Sequence, residues 1–96
     1  MKRGGHFKFR LYVAGDGPNS AQAITNLDAM CREHLPGQYE IELVDVTLDQ
    51  ARALADGVML TPLLIKLSPQ PIRRVVGTLD NVPAVLNSLG LLKPVA

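Results

Sequence analysis

Apolar and polar positions recur along this chain with two periods, and the periods divide it into strands and helices. Leu11, Tyr12 and Val13 form a short apolar, β-prone run that suits a buried strand. Gly15, Asp16 and Gly17 break it, and Pro18 follows, where a fixed φ and a missing N–H suit a helix's first turn. Ile24, Leu27, Cys31 and Leu35 recur at helical spacing and predict one apolar stripe on a helix from Pro18 to Leu35, ended by Pro36-Gly37. Tyr39, Ile41 and Leu43 then alternate with Glu40 and Glu42, the pattern of a strand with one wet face. Thr47-Leu-Asp-Gln50 fits a capping box, so a short helix is expected next, with Leu48, Ala51, Leu54 and Ala55 buried and Gly57 just past its end. Leu63–Leu67 reads as a strand, Ser68-Pro-Gln-Pro71 as a turn, and Ile72–Val76 as the returning strand. Asp80-Asn-Val-Pro83 opens a last helix whose stripe is Val82, Val85, Leu86 and Leu89, with Gly90 as its stop.

The resulting order is β-α-β-α-β-β-α, an α/β domain. Its first two strands, joined by a helix, should be parallel, and its last pair of strands a hairpin. That is the thioredoxin-like order. Thr61-Pro62 sits where such domains carry a cis-proline facing the start of the first helix, and Pro62 is the cis candidate. The reading places a tail at residues 1–6, one domain over 7–92 and a second tail at 93–96. Val58–Leu67 and Val82–Leu92 are apolar runs that periodicity alone assigns to neither helix nor strand.

Composition removes several function classes. A chain of 96 residues, 47% of them hydrophobic, makes one small domain with a modest core. A net charge of +1 offers no field for nucleic acid or an acidic membrane. No apolar run approaches a membrane span, and no signal-peptide core follows the polar start, so a cytoplasmic protein is expected. The lone Cys31 excludes CxxC chemistry and lies on the apolar stripe of the first helix, where it reads as a small buried hydrophobe. A thioredoxin-type enzyme needs a thiolate at the start of that helix, but the four residues there are Gly17-Pro-Asn-Ser20. His6 and His34 lack neighbours at metal-ligand spacing, so neither a metal nor another cofactor is expected. Arg73 and Arg74 should point to opposite faces of the last strand. Glu40 and Glu42 read as a solvated strand face, and Asp49, Arg52 and Asp56 as the exposed side of the second helix.

The segment Leu11-Tyr-Val-Ala-Gly-Asp-Gly-Pro-Asn-Ser20 resembles the LYVAG-x-x-PNS opening of the KaiB family, proteins of bacterial circadian clocks and related systems. The resemblance continues in LVDV at 43–46, MLTPLL at 59–64 and SPQPIRRVVGTL at 68–79, in the same order and without a gap over about residues 7–92. It implies a fold-switching protein with two forms, one thioredoxin-like and one oligomeric with order β-α-β-β-α-α-β, a homo-dimer or tetramer. Ser88 and Gly90 stand where clock members commonly carry Gly and Asp. It also implies a non-catalytic adaptor that docks on a KaiC-like RecA-fold ATPase and alters its phosphorylation or signalling, with a histidine kinase or another clock-output protein as further partners. By family position the partner-binding residues are Thr47, Asp49, Arg52, Asp56, Gly57 and Arg74. Gln22, Glu42 and Gly57 stand where the clock pattern often has basic residues, which suits a divergent KaiC. Two rivals are the sensor domain of a histidine kinase, disfavoured by the short chain, and a thioredoxin-related ligand-binding or redox protein that has lost its CxxC.

Overall fold

Strand β1 (Phe7–Val13) runs through the middle of the sheet, with Phe7, Phe9, Leu11 and Val13 on one face and Lys8, Arg10 and Tyr12 on the other. It is followed by α1 (Pro18–His34), β2 (Tyr39–Asp45), α2 (Gln50–Ala55), β3 (Leu63–Ser68), β4 (Arg73–Val76) and α3 (Val82–Ser88). The computed structural model describes residues 6–91; Leu92 and, apart from His6, the tails expected at 1–6 and 93–96 lie outside them. The order is the expected β-α-β-α-β-β-α, the thioredoxin-like one.

The sheet order is β2-β1-β3-β4. β1 and β2 are parallel, with Arg10 beside Glu42, and β3 and β4 form the antiparallel hairpin, with Ile65 beside Arg74 and Lys66 beside Arg73. The larger core lies on one face, where Phe9, Leu11 and Val13 of β1 meet Ala23, Leu27, Met30 and Cys31 of α1 and Val85 and Leu86 of α3. The smaller core lies on the other face, where Tyr12, Val44, Leu63 and Ile65 meet Ala53 of α2. α1 starts at Pro18, and α3 starts behind Asn81, whose side chain accepts from the Ala84 N–H at 3.2 Å. Gly57 and Gly90 stand just past α2 and α3 at φ +68° and +76°, a backbone region that costs a side-chain-bearing residue about 1 kcal/mol or more.

Two expectations for α2 are overturned. Its apolar residues point outward: Leu48 is 84% and Leu54 80% exposed, Ala51 and Ala55 are exposed as well, and Ala53 alone is buried. The helix is six residues long, too short for its own stripe to fix its rotation, and ion pairs from Arg52 and Asp56 to the sheet fix it the other way. For the same reason Arg52 and Asp56 do not decorate an exposed side, and Glu42 is no bystander on a solvated face. The capping box is also displaced. Asp49 caps α2, its side chain accepting from the Arg52 N–H at 3.2 Å, while the Thr47 hydroxyl is drawn to Asp45 at 2.7 Å.

Candidate partner-docking surface

β1 presents Arg10 and Tyr12 to the α2 side of the sheet, and the parallel register sets Glu42 beside Arg10. From these positions a closed set of polar contacts grips α2. The Arg10 guanidinium reaches Glu42 Oε1 at 2.8 Å and Asp56 Oδ2 at 2.9 Å, and Arg52 reaches Glu42 Oε2 at 2.7 Å. The Tyr12 hydroxyl donates to the Asp56 carboxylate and, at 3.2 Å, to the Arg52 carbonyl. Arg74 crosses from β4 and donates to the Asp56 carbonyl, while Arg73 points to the opposite face. Each contact is charge-assisted or ends on a carbonyl of the last turn of α2, so the short helix is held at several points.

The electrostatics follow from these partners. Hydrogen bonds from Arg52 and Arg10 hold Glu42 down at about 2. The Tyr12 hydroxyl, and then Arg10, lower Asp56 below the usual carboxylate range against the opposing effect of burial. Burial, and then the Asp56 carboxylate, push the Tyr12 phenol up. At the other end of α2, Asp45 accepts from the N–H groups of Gly15 at 3.0 Å and Thr47 at 2.9 Å, which together with the Thr47 hydroxyl lower its carboxyl.

Thr47, Asp49, Arg52, Asp56 and Gly57 therefore stand on α2 and its flanks, and Arg74 joins them through Asp56. Arg10, Tyr12 and Glu42 complete the cluster. Polar residues at alternate positions of an apolar strand, Arg10 and Tyr12, were the signal for it. Around the cluster, Leu48, Leu54, Met59 and Leu60 are exposed.

The crevice at the start of α1 offers no sulfur. It is lined by Gly17, Pro18, Asn19, Ser20 and Thr61-Pro62, whose peptide bond is cis. Ser20 donates to the Ala14 carbonyl at 3.3 Å. Cys31 lies in the core, where burial and then Asp28 push its thiol up to about 12, far from a reactive thiolate. On the same face of the sheet Lys66 is buried, and burial, then Arg73, lower its ammonium. Among the described residues no group of three or more His, Cys, Asp or Glu could hold a metal ion, and no helix is long and apolar enough to cross a membrane.

Comparison with known proteins places this geometry. The family pattern described as KaiB domain matches residues 10–91. The circadian clock protein KaiB3 of Synechocystis is 40% identical over 83 residues, which cover 86% of this chain and 81% of that protein. The solution structure of the N-terminal domain of Synechococcus elongatus SasA superposes with a TM-score of 0.74 at 13% identity, over 100% of this chain and 94% of that one. Mitochondrial thioredoxin 3 of Saccharomyces cerevisiae gives a TM-score of 0.71 at 12% identity, over 93% and 81% of the two chains. At such identities the last two establish the thioredoxin-like fold and nothing finer.

Proposed function

The chain belongs to the KaiB family, and from that premise we propose that it is a non-catalytic adaptor that docks on a KaiC-like RecA-fold ATPase in the cytoplasm. Docking modulates the phosphorylation or signalling of that ATPase, in circadian timing or a related stress response. The surface is α2 with its flanks, Thr47, Asp49, Arg52, Asp56 and Gly57, joined by Arg74. The observation that carries this reading is the cluster itself: polar side chains from β1, β2 and β4 hold one short helix on the face of the sheet. The redox alternative is opposed by Ser20 at the start of α1 and by the buried thiol of Cys31.

The ATPase acts on this chain by population shift. It draws the chain toward the form that it binds, by no more than its differential affinity for the available forms. The clock-like positions Gln22, Glu42 and Gly57 are not basic here, so the partner is a divergent KaiC with a contact of different charge. A histidine kinase or another output protein is a further partner, and a homo-dimer or tetramer is the state of the alternative fold. Sedimentation of the purified chain with the KaiC-like ATPase of its own organism, with nucleotide present, tests the reading. A complex that changes the ATPase's phosphorylation is expected. No complex, together with disulfide-reductase activity of the chain alone, would replace it with the redox reading.

A further inference from the structure

α2 lies on the sheet inside out. Its polar side chains Arg52 and Asp56 turn toward β1 and β2, and its apolar ones turn to water. The loop after it extends the apolar surface, with Met59 89% and Leu60 64% exposed. Beside this stripe runs a groove lined by Val46, Ala53, Leu54 and Val58. Helical propensity does not require this orientation. Turning α2 by about half a turn would bury Leu54 and place Arg52 and Asp56 in water. The contacts of Arg10, Tyr12 and Glu42 oppose that rotation, because each would lose its partner on α2.

The charge around the stripe is uneven. Arg10, Arg52 and Arg74 are all engaged, by Glu42, by Asp56 or by the Asp56 carbonyl. Asp49, at the amino-terminal end of the stripe, accepts only the Arg52 backbone N–H, and among the described residues it is in no ion pair. The stripe therefore carries an uncompensated negative charge at its amino-terminal rim.

We propose that Leu48, Leu54, Met59 and Leu60 make the partner contact, to a protein surface with an apolar ridge and a basic rim, and that Arg10, Tyr12, Glu42, Arg52 and Asp56 are positioning residues that keep this stripe outward. This rests on the adaptor reading and names the chemistry of its contact. The charged residues of α2 then matter for docking through the orientation of the helix, while the aliphatic side chains touch the partner.

The test is a titration of the purified chain with the KaiC-like ATPase of its own organism, alongside urea unfolding of each variant. The double variant Leu48→Ser, Leu54→Ser should bind at least tenfold more weakly with an unchanged unfolding midpoint, and Leu48→Met, Leu54→Met should keep near-parental affinity. Asp49→Asn, which retains the cap, should weaken binding about threefold and reduce its salt dependence. Asp56→Asn should lower both affinity and midpoint, with Asp56→Glu recovering part of each. Parental affinity in the serine double variant would overturn the inference and leave the adaptor reading intact. So would a parent dimer that this variant converts to monomer with unchanged ATPase binding, since a second copy would then cover the stripe. A parent chain that does not bind the ATPase removes the adaptor reading and this inference together.

Discussion

Tyr12 is fully buried, and its hydroxyl has the Asp56 carboxylate and the Arg52 carbonyl as acceptors. Tyr12→Phe keeps the ring in the smaller core and removes only that donor, leaving a half-buried carboxylate one hydrogen bond short. The expected cost is about 1–2 kcal/mol of unfolding free energy, read from urea denaturation, with far-UV circular dichroism unchanged. Cys31 sets the opposite case, because its sulfur takes part in packing and nothing else. Cys31→Ser should cost about 1–2 kcal/mol through burial of a hydroxyl, while affinity for the ATPase stays at the parental level. Loss of binding by a folded Cys31→Ser protein would contradict the adaptor reading. The burial of Cys31 was legible in its place on a helical stripe. The role of Tyr12 was not, because an aromatic residue in an apolar run reads as packing until its hydroxyl's partner, 44 residues away, is known.

α2 is held by polar contacts to the sheet as much as by packing, so its stability should depend on pH. Glu42 and Asp56 both have folded pKa values below their ordinary ones. As pH falls, the unfolded chain therefore takes up protons first. The stabilisation is complete above the ordinary carboxylate range and is lost as pH drops through it, down to about 2 for Glu42. Between about pH 5 and pH 2.5 the parent should lose more stability than Glu42→Gln, whose urea midpoint should vary less with pH. Equal slopes would mean that the pairs with Arg10 and Arg52 contribute nothing. The cap gives a second measurement: Asp49→Ala should cost about 1 kcal/mol, and Asp49→Asn only a few tenths. Of all the elements α2 was read least well. Its existence and its Gly57 stop followed from local chemistry, but its rotation depends on Arg10–Asp56 and Arg52–Glu42, pairs formed between elements. A stripe of Leu48, Ala51, Leu54 and Ala55 normally marks a buried face, and here it marks the outside.

Across the whole molecule, the order of elements was legible because the longer ones announce themselves locally. α1 carries helical spacing over 17 residues, and β2 alternates Tyr39, Ile41 and Leu43 with glutamates. Pro69 and Pro71 in the β3–β4 connection and Asn81 with Pro83 at the head of α3 separate the last three elements. The position of the candidate surface came from family resemblance, while its internal wiring depends on register and on contacts across the sheet. The central claim is that this thioredoxin-like arrangement docks on a KaiC-like ATPase through α2 and its flanks. The most direct measurement is an NMR titration of the isotope-labelled chain with that ATPase, assigning the bound and free spectra. Expected are shift changes and line broadening concentrated at Thr47–Leu60 and Arg74, with strand shifts retained over Arg73–Val76 and helical shifts over Ala84–Ser88 in the complex. Perturbations confined to the opposite side, around Ile24 and Leu43, or helical shifts over Arg73–Val76 in the bound chain, would contradict it.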